Sequence, residues 1–258
     1  KIIISRFRRH RIKIIFRSDN IIVVDKDYDM KINSNNDTEI TVQTLLKQQY
    51  PSLANDKLFH EFYFPHRLDY ATSGVMCIPT NKEACRVISN TFHTRRSKKY
   101  YIAIVRGLLS KEIIDVDMAI GEDIREQTIQ KMCTANSQYC VKSRAARTIF
   151  IILDKGLFDN YPATKVLIRP VTGRRHQIRA HCSYLGHTIV GDYTYSNRKD
   201  INPSRMFLHS LRLVLPNPME NIDVNTRDPF IDFKEWTTVE KINSINKITY
   251  DKFEPFLY

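Results

Sequence analysis

The sequence predicts an α+β protein with a mainly antiparallel mixed sheet flanked by helices and loops, and two observations support this fold class. Short β-branched segments and short amphipathic segments follow one another in mixed order, without the regular β-α-β alternation that marks a parallel sheet. The 258 residues are 42% hydrophobic and 26% charged, and they contain no fixed-period repeat. A chain of this length and composition can bury one substantial core or two modest ones.

The strands are predicted from short β-branched runs between polar turns. Lys13–Arg17 and Ile21–Asp25 are two such runs, and Ser18-Asp19-Asn20 between them predicts a turn. The same composition predicts further strands at Val75–Ile78, Tyr101–Val105, Thr148–Leu153, Thr164–Arg169 and Met206–Leu211.

Three helices are predicted from apolar residues at helical spacing. They are Thr41–Gln49, Lys82–Phe92 and His176–Leu185. The first ends before Pro51, the second follows the capping pair Thr80-Asn81, and the third stops at Gly186. The stretch Gly121–Arg147 is polar and poorly periodic, which predicts a long loop or insertion with a hairpin.

The charge balance is strongly basic. Forty Lys and Arg against 28 Asp and Glu give a formal net charge of +12. Such a charge attracts a phosphate backbone and makes the binding salt-sensitive. It is equally typical of a solubilising surface, so charge alone leaves both interpretations open.

Cysteine usage and hydropathy predict an intracellular protein. The five cysteines are odd in number and include no C-x-x-C pair, which predicts reduced thiols. No apolar run approaches the ~20 residues that cross a bilayer, and no secretory signal pattern is present. We therefore expect a soluble protein in the cytoplasm, with the mitochondrion and the nucleus left open.

The first residues are rich in positive charge. Seven basic residues precede the first acid, Asp19. They are Lys1, Arg6, Arg8, Arg9, Arg11, Lys13 and Arg17. Such a stretch is typical of a mitochondrial presequence, of an RNA-contacting arm or of the basic side of a first strand, and we favour the last two.

Asp69 is the centre of the first motif. The stretch His66–Gly74 reads H-R-L-D-Y-A-T-S-G, and a lone Arg-x-Asp within it would ordinarily be a salt-bridged turn. The whole string resembles the H-R-L-D-x-x-T-S-G signature of RluA-type pseudouridine synthases at every specified position. This resemblance implies that Asp69 is the catalytic aspartate, and that Arg67 fills the space left when the target base leaves the RNA stack.

Tyr101 lies in the second motif, K-Y-Y-I-A-I-V-R-G, which spans Lys99–Gly107. Tyrosines in a strand are ordinarily core residues. The stretch resembles the family segment K-x-Y-x-A-x-x-x-G, in which the tyrosine stacks on the target base. The alignment places Tyr101, not Tyr100, at that position and Lys99 among the RNA-binding residues.

The third motif spans Arg169–His181. From the residues alone, a strand ends at Pro170, Gly173 makes a turn, and a helix begins that presents Arg174, Arg175 and backbone amides to an anion. The stretch resembles the family segment P-x-T-G-R-x-H-Q-I-R-x-H. That resemblance assigns RNA binding to Arg174, Arg175, His176, Gln177 and Ile178.

Within this third motif the resemblance gives two residues specific roles. The arginine of Q-I-R pairs with the catalytic aspartate in the family, which implies that Arg179 pairs with Asp69. Ile178 would pack under the base. Further on, Leu185–Asp192 resembles the family's L-G-H-x-I-x-G-D, and Met206–Leu211 resembles its L-H-A-x-x-L strand, although an ordinary core strand explains the latter equally well.

Four side chains raise a zinc alternative. They are His176, His181, Cys182 and His187. Imidazole and thiolate are the usual zinc ligands. The spacing fits neither a C-x-x-C knuckle nor an H-E-x-x-H helix, so structural histidines are favoured and no metal is expected.

The chain departs from the family pattern at three places. Many relatives carry N-K-P-x-G where this chain has Asp25–Asp29, D-K-D-Y-D, which loses a Pro and a Gly that shape an early turn. Arg175 replaces the usual Thr or Ser, and Ala180 the usual Val. No catalytic group is removed, but the geometry of the early loop is put in question.

The resemblance extends over most of the chain, with its motifs in family order. It implies a pseudouridine synthase catalytic domain at 14–230 with a central basic cleft, a basic N-terminal extension at 1–13 and a C-terminal extension at 231–258. The Ile120–Cys140 region looks closer to an animal branch, the RNA pseudouridylate synthase domain-containing proteins. No S4-type RNA-binding module precedes the domain, so we expect target selection to rest on the basic surface of the domain or on a partner.

The implied reaction breaks the C1′–N1 bond of a uridine, turns the uracil and joins C5 to C1′. It needs no cofactor, and we expect a monomer acting on RNA. Asp69 could attack C1′ or remove a proton from C2′, and the sequence does not choose between these routes. Two rival functions stay open: a catalytically inactive RNA-binding protein of the same fold, and an N-glycosylase that would release free uracil.

Overall fold

The computed structural model describes residues 11–36 and 38–256, and the chain divides into two compact units. Unit 1 contains the described residues up to Lys99 together with His209–Arg227. Unit 2 contains Tyr100–Leu208 and the described residues from Asp228 onward. Each unit combines a sheet with short helices, which confirms the α+β class. Residues 1–10 lie outside the described residues, so the role of the basic residues among them stays a prediction.

The elements are numbered in chain order. The strands are β1 (Lys13–Arg17), β2 (Ile21–Lys26), β3 (Ser73–Pro79), β4 (Lys98–Arg106), β5 (Ile113–Asp117), β6 (Ile120–Asp123), β7 (Met132–Thr134), β8 (Cys140–Arg144), β9 (Arg147–Phe158), β10 (Tyr161–Pro170), β11 (Leu208–Leu215), β12 (Ile222–Asn225) and β13 (Trp236–Lys241). The α-helices are α1 (Val42–Gln49), α2 (Lys82–His93), α3 (Gln177–Tyr184) and α4 (Lys247–Asp251). Single 3₁₀ turns lie at Pro51–Leu53 and Glu254–Phe256. Among the described residues, no helix is long and apolar enough to cross a membrane.

Unit 1 is built on a sheet in which β2 pairs antiparallel with both β1 and β3. Strand β3 pairs in parallel with β11, and β11 pairs antiparallel with β12. Alternate side chains of a strand point to the same face, so Ile21 and Val23 of β2 join Val75 and Cys77 of β3 in one core cluster. Ile88 of α2 belongs to the same cluster. The core of unit 1 therefore lies between its sheet and α2.

The first two helices begin where the sequence predicts because each has a local N-cap. The Thr41 hydroxyl accepts a hydrogen bond from the Thr44 amide at 3.0 Å, and the Asn81 side chain accepts one from the Ala84 amide at 2.9 Å. Such caps satisfy amides that have no partner inside the helix. Helix α2 then runs one residue beyond the predicted end, to His93.

Unit 2 is built on an antiparallel sheet in the order β4-β10-β9-β13, with β5 also paired to β9. Strands β9 and β10 are a long hairpin, of which the sequence predicted only the apolar middle. Residues from the predicted C-terminal extension contribute to this unit. Trp236 of β13 pairs with Phe158 of β9, and the Tyr250 ring of α4 lies 4.6 Å from that of Tyr100.

The predicted insertion forms a second sheet in unit 2, in the order β7-β6-β8. Its strands have only three to five residues, and β8 is mostly exposed, which is why the sequence shows no strand periodicity here. Strand β7 packs against α3. The insertion is thus a small, ordered sheet beside the helix that carries the third motif.

Candidate active site

Asp69 lies in unit 1, in the turn immediately before β3. Leu68 is buried with 5% exposure and anchors the turn, whereas Asp69 is half-buried and Arg67 is exposed. The Thr72 amide donates to the Asp69 carbonyl oxygen at 3.1 Å and closes the turn. The motif therefore places Asp69 in a hydrogen-bonded turn immediately before a buried strand.

His66 fixes the start of this turn to the strand that follows it. The Cys77 amide of β3 donates to His66 Nε2 at 2.9 Å, and the imidazole lies 4.7 Å from the Phe92 ring of α2. Burial, followed by the nearby charge of Lys99, lowers the pKa of His66 to about 3. His66 is therefore neutral, with its proton on Nδ1, and serves as an acceptor for the strand.

Lys26 holds the other side of the turn, a role that the sequence analysis missed. Its side chain is fully buried, and Nζ donates to the carbonyl oxygens of Asp27 at 2.8 Å, Met30 at 2.8 Å and Tyr70 at 3.1 Å. A buried ammonium is costly unless its protons are hydrogen-bonded, and these three carbonyls provide that compensation. Lys26 thereby ties the early loop to the residue after Asp69.

The same early loop explains how the chain dispenses with the missing Gly. Asp29, at the family's Gly position, has φ of 51° and adopts the left-handed conformation that Gly takes most easily. Aspartate tolerates this region better than most residues. At this position of the early loop an aspartate therefore adopts the left-handed conformation that a glycine would take. The hydrogen bonds of Lys26 to Asp27 and Met30 hold the residues on either side of it.

The last residues of the first motif bind β3 to β11. Ser73 Oγ and His209 Nδ1 are hydrogen-bonded at 2.7 Å, and His209 Nε2 reaches Thr226 Oγ1 at 2.6 Å. A Cβ on Gly74 would lie 2.2 Å from the Ser210 carbonyl oxygen, so only glycine permits the close approach of these strands. The histidine of the predicted Met206–Leu211 strand thus supports β3, the strand that follows the Asp69 turn.

Tyr101 and Tyr100 of β4 have different surroundings in unit 2. Tyr100 is buried with 3% exposure, and its ring packs 4.6 Å from Tyr250 and 5.6 Å from Phe253. Tyr101 points to the other face of the strand and is half-buried. Of the two tyrosines, Tyr100 is the one surrounded by the core.

Gln177, predicted to bind RNA, is buried and organises the third motif. Its Oε1 accepts from the Thr172 hydroxyl at 2.6 Å and the Arg174 amide at 3.0 Å. Its Nε2 donates to the Arg147 carbonyl oxygen and to the Thr148 hydroxyl, both at 2.9 Å. The side-chain amide therefore makes four hydrogen bonds within unit 2 and shapes the turn before α3.

His181 extends this network. Its Nδ1 is 2.8 Å from the Thr148 hydroxyl and its Nε2 is 2.9 Å from the Met118 carbonyl oxygen, so Nε2 carries the proton. Burial lowers the pKa of His181. Both ring nitrogens are used to join α3 to β9 and to the segment between β5 and β6. Among the described residues, no three His, Cys, Asp or Glu side chains are grouped in a way that could hold a metal ion.

Helix α3 begins later than the sequence predicts. His176 has φ of 51° and is the residue before the first helical turn. Arg175 is exposed, whereas Arg174 is half-buried with its Nε donating to the Ala145 carbonyl oxygen at 3.0 Å. Ile178 is buried with 7% exposure. Arg175 is thus the more accessible of the two arginines at the start of α3.

Arg179 is held by two neighbours in unit 2. Its Nε and one terminal nitrogen donate to the Asp192 carboxylate at 2.7 and 2.8 Å, and both side chains are buried. The Tyr195 ring lies 5.0 Å from the guanidinium carbon, and the Tyr195 amide donates to Asp192 at 3.1 Å. A bidentate pair of this kind fixes the orientation of the guanidinium. The pairing of Arg179 with Asp69 stays a prediction.

The predicted site residues are divided between the units. Unit 1 contains Arg67, Asp69 and Lys99; unit 2 contains Tyr101 and the third motif. Sequence analysis missed the supporting roles of Lys26 and Tyr195. The available signals were Lys26 at the end of an apolar strand and Tyr195 three residues after Asp192.

Comparison with known proteins gives consistent matches. A family model described as RNA pseudouridylate synthase matches residues 20–184. RNA pseudouridylate synthase domain-containing protein 1 of Danio rerio is 39% identical over 240 residues, which cover 92% of this chain and 82% of the relative. The dual-specificity RNA pseudouridine synthase RluA of Haemophilus ducreyi is 30% identical over 226 residues, covering 84% and 93%.

Solved structures agree with these sequence matches. The structure of human RNA Pseudouridylate Synthase Domain Containing 1 has a TM-score of 0.83 at 33% identity, covering 93% of this chain and 94% of that one. Human RNA Pseudouridylate Synthase Domain Containing 4 has a TM-score of 0.65 at 22% identity, covering 88% and 92%, and shows the fold alone. The predicted pseudouridine synthase fold and the predicted similarity to the animal branch are both confirmed.

Proposed function

The chain belongs to the RNA pseudouridylate synthase family and is an RNA pseudouridine synthase, an isomerase, and from this premise we propose that Asp69 is its catalytic carboxylate. The observation that supports the proposal is that hydrogen bonds hold the Asp69 turn on both sides. His66 ties the turn to β3, and Lys26 ties the residue after Asp69 to the early loop. A carboxylate that must meet one carbon atom benefits from such a fixed backbone, because misplacement by about 1 Å can cost ~10²-fold in rate.

The chemistry needs one carboxylate near the ribose. Either Asp69 attacks C1′, displaces N1 and forms a covalent intermediate, or it removes the C2′ proton as N1 departs and leaves a glycal. In both routes the freed uracil turns and C5 bonds to C1′. In the first route this breaks the Asp69–C1′ bond and releases the carboxylate, and in the second Asp69 returns its proton to C2′. The C5 proton then leaves and N1 regains a proton. Substrate and product are isomers, so the balance requires no oxidant, reductant or energy source.

Arg179 would keep the carboxylate ionised. A positive charge within about 4–6 Å of a carboxylate favours its charged form. Support for this role comes from the fixed guanidinium, held by Asp192 in a bidentate pair over the Tyr195 ring. Asp192 and Tyr195 would then act as positioning residues for Arg179.

The remaining predicted residues would hold the RNA. The target uridine must leave its stack, at a cost of a few kcal/mol, and Arg67 would fill the vacated space. Its exposure suits that role. Tyr101 would stack on the extruded base and Ile178 would pack under it.

Lys99 would contribute charge, although burial lowers its pKa. Arg174, Arg175 and His176 would contact the backbone, and Gln177 would shape the turn that presents them.

The experiment is product analysis with purified protein. RNA labelled with tritium at C5 of uridine, taken from cells that lack the protein, should release tritium and yield pseudouridine on nucleoside analysis. EDTA should leave the rate unchanged. Free uracil without pseudouridine would indicate an N-glycosylase, and tight RNA binding with neither product would indicate an inactive binding protein. Mapping pseudouridines with and without the protein would identify the target RNA.

A further inference from the structure

Cys133 and Cys140 lie on the same face of the small β7-β6-β8 sheet. Cys133 of β7 is opposite Gly121 of β6, and Cys140 of β8 is opposite Asp123. Directly opposed residues in an antiparallel pair point to the same face, and Gly121 and Asp123 share a face because they are two residues apart. The two cysteines therefore flank β6 on one side of the sheet.

Gly121 leaves the space that the Cys140 side chain occupies. A Cβ at Gly121 would lie 2.7 Å from Cys140 Sγ, so the thiol occupies the volume that any larger residue would fill. The Cys140 thiol also donates to the Cys133 carbonyl oxygen at 3.5 Å. The two cysteines are seven positions apart in sequence, and each is partly accessible to solvent.

We propose that Cys133 and Cys140 are a dithiol site that a hydroperoxide converts reversibly into a disulfide across β6. One thiolate attacks the peroxide oxygen and releases an alcohol or water, which leaves a sulfenic acid. The second thiol then attacks the sulfenic sulfur and expels water. The balance is two thiols plus one hydroperoxide giving one disulfide, one alcohol and one water.

The surroundings decide which sulfur reacts first. Burial and the hydrogen bond with the Cys140 side chain both raise the pKa of the Cys133 thiol above its usual range. The thiolate is the reactive form, so these causes disfavour Cys133 as the first sulfur to be oxidised and favour it as the resolving thiol. The new bond would join the two outer strands of the sheet that packs against α3.

The other three cysteines provide internal controls. Cys77 and Cys182 are buried, and burial raises the pKa of both thiols. Cys85 on α2 is half-buried, with Ser89 Oγ 3.8 Å from its sulfur, so it matches the accessibility of the pair. The cysteine with which it interacts electrostatically, Cys77, is buried.

The test is peptide mapping of the full chain after graded hydrogen peroxide, without reduction. We expect a linked Cys133–Cys140 peptide that dithiothreitol removes, while Cys85 gives no intramolecular disulfide. In Cys133→Ser, a sulfenic acid at Cys140 should be trapped by dimedone, and Cys85→Ser should form the disulfide like the wild type. The peptide map of the wild-type chain does not depend on whether any variant folds. The proposal is overturned if Cys85 is oxidised while Cys133 and Cys140 stay reduced, or if they yield sulfinic acids without a disulfide.

Discussion

At the scale of single residues, Tyr100 and Tyr101 are neighbours with opposite surroundings, which gives the proposed site an internal control. Tyr101→Phe keeps a ring that can stack on a base, worth ~1–3 kcal/mol, but removes the hydroxyl, which the family resemblance implies assists loss of the C5 proton. We expect RNA affinity to persist while single-turnover isomerisation slows strongly. Tyr101→Ala should lose both.

The matching Tyr100 substitutions should affect stability instead. The Tyr100 ring packs against Tyr250 and Phe253, so Tyr100→Ala should cost ~3–5 kcal/mol of unfolding free energy while Tyr100→Phe turns over normally. Single-turnover rates, RNA affinities and urea unfolding of all four variants make the comparison. A slow Tyr100→Phe beside a normal Tyr101→Phe would mean that the register of β4 in the proposed site is wrong by one residue.

Burial should decide how much each Arg–Asp pair contributes to the free energy of unfolding. Arg179–Asp192 and Arg212–Asp223 are both bidentate, with N–O distances of 2.6 to 2.8 Å, but the first pair is buried and the second is exposed. Removing one partner of a buried pair leaves an uncompensated charge and costs ~3–5 kcal/mol. An exposed pair is worth ~0–1 kcal/mol.

We therefore expect Asp192→Asn to lower the free energy of unfolding by several times more than Asp223→Asn, as measured by urea denaturation. Equal effects of the two substitutions would mean that Asp192 does not hold the Arg179 guanidinium as described. Asp192→Asn should also slow isomerisation beyond the loss explained by its unfolded fraction, because Arg179 would lose its orientation.

At the scale of elements, the early loop between β2 and α1 offers a test of backbone strain. Asp29 is exposed with φ of 51°, so Asp29→Gly should relieve the strain of the left-handed conformation. The greater freedom of Gly in the unfolded chain offsets part of this, leaving a net gain of ~0.5–1 kcal/mol in unfolding free energy.

Asp27→Gly is the matched control. It is exposed in the same loop and lacks a positive φ, so the substitution should destabilise or leave stability unchanged. Thermal and urea unfolding of both variants measure the difference. If Asp29→Gly were the less stable of the two, Asp29 would contribute contacts that outweigh its backbone strain.

The elements also divide into those that local sequence determines and those that depend on distant partners. Helices α1 and α2 were predicted to within one or two residues because Thr41 and Asn81 cap them locally. The strands β6, β7 and β8 were predicted only as a hairpin within a loop or insertion, because they are very short. Strand β13 was not predicted, because it is short and mostly exposed and pairs with β9, which lies far earlier in the chain.

The same distinction holds in the candidate site. The three motifs identified the residues, but the role of Lys26 depends on the carbonyl oxygen of Tyr70, 44 residues away. The residues of the third motif showed which side chains occur together. They did not show that the Gln177 side-chain amide makes all its hydrogen bonds within the protein instead of to RNA.

At the scale of the whole molecule, the net charge of +12 predicts salt-sensitive RNA binding. Each phosphate contact adds about 0.7–0.9 to the slope of log affinity against log salt. Arg175 is exposed, so Arg175→Gln should flatten the slope by about that amount, and the double change with Arg174→Gln should flatten it further.

Arg86→Gln is the control for this measurement, since Arg86 on α2 is paired with Glu83 and should contribute little. Titrations at several salt concentrations give the slopes. A double variant with the wild-type slope would remove both arginines from the RNA footprint. Circular dichroism should accompany it, because Arg174 also contacts the Ala145 carbonyl oxygen.

The most direct test of the central claim is the single-turnover isomerisation rate of Asp69→Asn, measured beside its RNA affinity. Asparagine keeps the size of the side chain but can neither attack C1′ as a carboxylate nor remove a proton, so we expect the rate to fall by ~10²–10⁴-fold or more while RNA binding is largely retained. Asp27→Asn, an exposed change in the neighbouring loop, should turn over like the wild type. If Asp69→Asn kept even about a tenth of the wild-type rate, a reduction far smaller than such a carboxylate supplies, Asp69 would not be the catalytic carboxylate.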